Sequence, residues 1–164
     1  MDIIKGKVIV LGDDVDTDQI LPGYAMAEPY DQLGKFAMAG LAGVDFKTVY
    51  EPGCILVAGR NFGCGSSREQ APIALQQAKI ALVIAKGFAR IFRRNSINIG
   101  LPVWVADVAD SLRTGDQIEV DLEKGTITVN GEKKQFQPMS ENVVKTLSYG
   151  GLIPRVRAEL GIKD

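Results

Sequence analysis

Asn61-Phe62-Gly63-Cys64-Gly65-Ser66-Ser67-Arg68-Glu69 decides how the rest of the chain is read. The apolar run Cys54-Ile55-Leu56-Val57-Ala58 before it predicts a buried strand, and the pattern from Glu69 to Lys79 after it predicts a helix. Gly63 and Gly65 suit a turn that needs positive φ or a close approach of backbone to a ligand. Ser66 with Glu69 fits the S-x-x-E capping box, which puts Ser66 or Ser67 at the helix start. A helix start carries unpaired N–H groups and partial positive charge. With two hydroxyls and one guanidinium beside it, the junction suits an anion, because arginine grips a carboxylate through two parallel hydrogen bonds. The pattern leaves two readings open: a glycine turn with a capping serine, or a turn that binds carboxylate or phosphate.

Downstream, Pro72 falls in the first helical turn, where proline costs little, and Ala74, Leu75 and Ala78 make an apolar stripe. Ile80 to Ala85 is a second wholly apolar run, the mark of a buried parallel strand, so the stretch from Cys54 onward predicts a βαβ unit. Phe88 to Ile97 predicts a helix with Phe88, Ile91 and Phe92 facing inward. Arg90, Arg93 and Arg94 would then form a solvated face or partner contacts. Leu101 to Ala106 predicts another strand. Gly115 to Leu122 and Gly125 to Asn130 alternate as a hairpin, and Asn130-Gly131 marks a further tight turn. Ser140 to Tyr149 predicts an amphipathic helix closed by Gly150-Gly151, followed by a last helix over Pro154 to Leu160.

Upstream, Lys7 to Leu11 predicts the first strand. Gly12 to Asp18 then carries four aspartates, a cluster that Asx turns alone would explain. Its spacing is not that of an EF-hand, since no glutamate follows at the required position. Leu21 to Tyr50 is broken by Pro22, Gly23, Pro29, Gly34, Gly40 and Gly43, with room for one short helix over Asp31 to Ala39. A segment this long without regular structure is functional or mobile.

Composition narrows the chemistry. The 164 residues predict one domain over 1–164, and 46% apolar with 24% charged content is ordinary for a globular protein. A formal net charge of −1 gives no reason to expect nucleic acid or an anionic membrane as partner. No apolar run approaches the roughly 20 residues of a membrane span, and Met1 to Lys5 lacks a signal-peptide core, so the cytoplasm is expected. The chain has no histidine, which excludes histidine-based triads, and two cysteines are too few for an iron–sulfur cluster. Cys54 reads as core packing. Cys64, in the glycine turn, would have its pKa lowered by a helix N-terminus, yet no base accompanies it.

Asn61 to Pro72, read N-F-G-C-G-S-S-R-E-Q-A-P, resembles the signature of the swivel domain of the aconitase superfamily. Gly12 to Ile20, Ala89 to Asn95 and Gly150 to Leu152 match in the same order, so the resemblance spans nearly the whole chain. One departure is Gln70, where the family usually has histidine. The resemblance implies an α/β fold, a three-layer β/β/α swivel domain with mixed parallel and antiparallel strands. It implies the small subunit of a heteromeric hydro-lyase that dehydrates a hydroxy acid and rehydrates the alkene at the next carbon. For the isopropylmalate type, as in leucine biosynthesis, this interconverts 2- and 3-isopropylmalate. By the same resemblance Ser66 and Asp18 are the catalytic residues, Ser66 removing the carbon-bound proton. Ser66, Ser67 and Arg68 bind substrate, and Tyr24, Ala25 and Met26 lie in the segment that meets the substrate's variable side chain. Thr17 and Asp16 shape the aspartate loop. The chain would bind no cofactor itself. A cluster-bearing large subunit would partner it, in a heterodimer or heterotetramer, and supply the iron–sulfur cluster. Relatives acting on homoaconitate, 2,3-dimethylmalate or methylmalate are a second reading, and a non-catalytic anion-binding domain is a third.

Overall fold

The structure, a computed structural model, describes residues 1–162. Seven strands form one hydrogen-bonded order, β4-β3-β2-β1-β5-β6-β7. They are β1 (Ile4–Val10), β2 (Ile55–Ala58), β3 (Leu82–Ala85), β4 (Val103–Val105), β5 (Gln117–Asp121), β6 (Thr126–Val129) and β7 (Glu132–Gln135). The helices are α1 (Thr17–Ile20), α2 (Phe46–Val49), α3 (Gln70–Gln77), α4 (Arg90–Asn98), α5 (Glu141–Ser148) and α6 (Leu152–Glu159).

The two wholly apolar runs became β2 and β3, every residue of which is buried. They pair in parallel, Ile55 with Leu82 through Ala58 with Ala85, with α3 as the crossover. β1 joins the other side of β2 in parallel, Val8 opposite Ile55, while its first half pairs antiparallel with β5, Ile4 opposite Val120. The parallel and antiparallel parts expected from the sequence are thus continuous through this one strand. Alternation in β5, with Ile118 and Val120 buried and Gln117 and Glu119 exposed, fixes its register, since a one-residue slip would turn both out. Asn130-Gly131 turns β6 into β7, both residues with positive φ. Among the described residues no helix is long and apolar enough to cross a membrane.

The segment after the aspartate loop is more ordered than its breakers suggested. Pro22 and Pro29 each enter a 3-10 stretch, Gly23–Ala27 and Tyr30–Phe36, the second in place of the short helix expected over Asp31 to Ala39. Gly34 lets this stretch lie against α3: its N–H donates to Gln77 Oε1 at 2.9 Å, and a Cβ there would collide with Gln77. The Gln77 amide in turn donates to the Tyr30 carbonyl. Leu33 and Met38 are buried as a result.

Candidate active site

The aspartate loop and the glycine turn are laid side by side as a ladder. Asp14 N–H donates to the Arg60 carbonyl at 2.8 Å, Gly63 N–H to Val15 at 2.8 Å and Thr17 N–H to Cys64 at 2.8 Å. Side chains complete it. Asp13 accepts from Arg60 N–H at 2.7 Å, and Asp14 accepts from the Asn61 amide at 3.1 Å. Asp16 caps α1 in a capping box with Gln19, accepting its N–H at 2.8 Å while the Gln19 side chain accepts from Asp16 N–H at 2.9 Å. Three of the four aspartates therefore build the loop, as Asx-type turns predict, and the fourth reaches across it. Asp18 Oδ1 lies 2.7 Å from Arg68 Nη2 in an ion pair, and Arg68 Nη1 donates to the Leu21 carbonyl at 3.2 Å.

Phe62 anchors the turn from below. It is fully buried, edge-on to Phe88 at 5.9 Å and to Phe92 at 5.3 Å between ring centroids. Gly63, at φ +84°, lies directly over the Phe92 ring, where a Cβ would overlap ring atoms. Gly63→Ala combines positive-φ strain with overpacking and is expected to cost about 2–4 kcal/mol. In a thermal melt the midpoint should fall by roughly 5–15 °C. A midpoint within 1–2 °C of wild type, on the order of half a kcal/mol, would mean that the turn is not seated this way.

Above this floor an open cleft of about 190 Å³ is lined by Thr17, Gly65, Ser66, Ser67, Arg68, Ala89, Arg90, Ile91 and Phe92 among others. The hydroxyls of Ser66 and Thr17 are 3.2 Å apart. Ser66, Ser67, Arg68 and Asp18, named from the sequence, are thus brought together. Tyr24, Ala25 and Met26 are not part of this cleft. Their segment is nonetheless tied to the turn at both ends, by Arg68 to the Leu21 carbonyl and by the Tyr30 hydroxyl, which donates to Glu69 at 2.7 Å. The Glu69 carboxylate raises the Tyr30 pKa above the usual phenol value. Tyr24 is 70% exposed, Met26 half-buried and Ala25 wholly buried, so a substrate cannot meet the Ala25 side chain in this arrangement.

Three expectations are corrected. The serines do not cap α3. The helix begins at Gln70 with Glu69 as its N-cap, and among the described residues no capping side chain bonds to it. Gly65, at φ +101°, has swung Ser66 toward Thr17, while Tyr30 takes up the Glu69 carboxylate, so tertiary partners satisfy both halves of the capping box. Ile91 does not face inward. α4 starts at Arg90, Phe92, Ser96 and Ile97 take its buried face, and Ile91, 43% exposed, turns into the cleft. The Cys64 thiol is pushed up, not down, by burial and then by the Asp16 and Asp14 carboxylates. Thr17 and the start of α4, Ala89 to Phe92, line the cleft without the sequence having identified them as such. Thr17 sat in a loop motif with no local sign that it faced Ser66, and helical periodicity placed Ile91 in the core.

Parallel strands joined through β1 to antiparallel hairpins, with a Ser-Ser-Arg turn facing an aspartate loop, define a swivel domain of the aconitase kind. Residues 37–107 match the aconitase C-terminal domain model. The chain is 44% identical to 3-isopropylmalate dehydratase small subunit 1 of Methanopyrus kandleri, covering 96% of this chain and 95% of that protein. It is 44% identical to the isopropylmalate/citramalate isomerase small subunit of Methanocaldococcus jannaschii, covering 96% of each. It is 47% identical to the methanogen homoaconitase small subunit of Methanothermobacter thermautotrophicus, over 92% of this chain and 89% of that one. The crystal structure of a 3-isopropylmalate dehydratase from M. jannaschii superposes with a TM-score of 0.88 at 40% identity, over 97% of this chain and 96% of that chain. The chain belongs to the 3-isopropylmalate dehydratase small-subunit family.

Proposed function

We propose that this chain is the small subunit of a cytoplasmic, heteromeric hydro-lyase that interconverts 2- and 3-isopropylmalate by dehydration and rehydration, acting as a single swivel domain. The observation that carries the reading is the convergence of Ser66, Ser67 and Arg68, the last held by Asp18, on one open cleft, in a chain of this family. Among the described residues no group of three or more His, Cys, Asp or Glu side chains could hold a metal ion. Cys54 is buried in the core and Cys64 sits in the turn, so these residues do not fit an iron–sulfur cluster. The cluster, and with it activation of the substrate hydroxyl, belongs to a large subunit facing the cleft.

The chain's own part is binding and proton transfer. Asp18 and the Leu21 carbonyl hold the guanidinium through two of its five N–H groups, leaving others for a substrate carboxylate. Ser67 adds a hydroxyl. Ser66, as its alkoxide, accepts the proton from the substrate carbon and returns it on rehydration. A serine alkoxide is unfavourable in water, but a neighbouring cation in a cleft shielded by the partner favours it. Ala89, Ile91 and Phe92 give the cleft an apolar side. Tyr24 and Met26, on the segment pinned beside Arg68, are placed by this reading against the variable side chain.

The names of the relatives at 44% and 47% identity also favour a second reading within the class, action on citramalate or homoaconitate. The test is reconstitution with a cluster-bearing large subunit and assay against all three acids. The isolated chain should be inactive and free of bound iron, and the complex should turn over isopropylmalate with the highest kcat/KM. Stoichiometric cluster in the isolated chain, or no hydro-lyase activity in an assembled complex, would refute the proposal.

A further inference from the structure

Thr17 is a buried polar member of the cleft. The residue is only 2% exposed, and its N–H donates to the Cys64 carbonyl, which locks it against the glycine turn. Among the described residues its hydroxyl bonds to one group, the Ser66 hydroxyl at 3.2 Å. Threonine in a helix commonly turns its hydroxyl back to a carbonyl of its own chain. Here it points across the ladder instead. Gly65 keeps that approach open, since a Cβ there would sit 3.1 Å from Thr17 Oγ1. The capping box of Asp16 and Gln19 fixes the backbone on either side, so the hydroxyl is held in place before substrate arrives.

We propose that Thr17 is a positioning residue for the proton-accepting serine, donating a hydrogen bond that orients Ser66 and stabilises its alkoxide. This rests on the reading of Ser66 as the base. Thr17 keeps its own proton throughout. The bond that breaks is the substrate C–H and the bond that forms is Ser66 O–H, after which the same pair of hydroxyls can reverse donor and acceptor. A hydrogen bond to the charged form of a group favours that form. A rigid, desolvated donor does so with little reorganisation. Arg68 supplies charge in the same cleft, but two of its donors are engaged by Asp18 and Leu21, so Thr17 adds a neutral donor aimed at the serine itself.

The test uses the complex with the large subunit. Thr17→Val keeps the shape and removes the donor. It should lower kcat about 10–100-fold with KM within about twofold, as expected for a lost hydrogen bond to a charged group. Thr17→Ser should restore most of the loss. In a Ser66→Ala background Thr17→Val should make no further difference to residual turnover, because the group it serves is gone. Should valine disturb folding, as judged by circular dichroism, Thr17→Ala carries the same comparison without added apolar bulk. Turnover of the folded variant within about twofold of wild type would overturn the proposal. So would a serine variant as slow as the valine one, or a full additional loss in the Ser66→Ala background. A Ser66→Ala complex that remains active defeats the base assignment itself, whereas an inactive one beside an indifferent Thr17→Val defeats only the role of Thr17.

Discussion

Ser66→Ala in the reconstituted complex is expected to lower kcat by about 10²–10⁴-fold, the range for losing a positioned general base, with KM little changed. The separation of the two constants follows from the geometry. The alanine leaves the Asp18–Arg68 pair, Ser67 and both glycines in place, so the ground-state contacts to a carboxylate survive. On the proposed reading, what disappears is the acceptor for the carbon-bound proton, a contact that matters as the bond breaks. Stability should hardly move. Ser66 is exposed and caps no helix, and among the described residues its side-chain partner is Thr17. A kcat within about tenfold of wild type, only ~1.4 kcal/mol of barrier, would place the base elsewhere and reduce the motif to an anion-binding turn.

Arg68→Lys should fail in the other constant. Lysine keeps the charge but not the planar fork, so it cannot meet Asp18, the Leu21 carbonyl and a substrate carboxylate at once. Losing one charge-assisted hydrogen bond, worth about 1.5–3 kcal/mol, should raise KM roughly 10–100-fold. Some loss of kcat is also expected, since a displaced substrate reacts slowly. Initial-rate measurements over a wide substrate range separate the two effects. An unchanged KM would mean that the carboxylate is held by another cation, and Arg90, exposed in the same cleft, is the first to mutate.

By itself the sequence determined what short-range pattern controls. The apolar runs Cys54 to Ala58 and Ile80 to Ala85 read as buried strands, the second as parallel, and they became β2 and β3, because unbroken apolar runs suit cover on both faces. Alternation determined β5 and β6, and Asn130-Gly131 determined the turn into β7, since both depend on neighbours in the chain. The spacing of Gly63 and Gly65 showed that the turn was special, and the aspartate loop marked a second unusual segment. Tertiary structure decided how the two segments meet. Asp13 with Arg60, Thr17 with Ser66 and Asp18 with Arg68 join residues about fifty positions apart, and no local periodicity encodes such pairs. That pairing released Ser66 from the capping role its local pattern predicted, because a hydroxyl takes whichever partner the folded backbone presents. It likewise raised the Cys64 pKa, through burial first and then through the charges of Asp16 and Asp14. Ile91 reached the cleft for a similar reason: α4 begins at Arg90, so the rotation that buries Phe92 turns its neighbour outward.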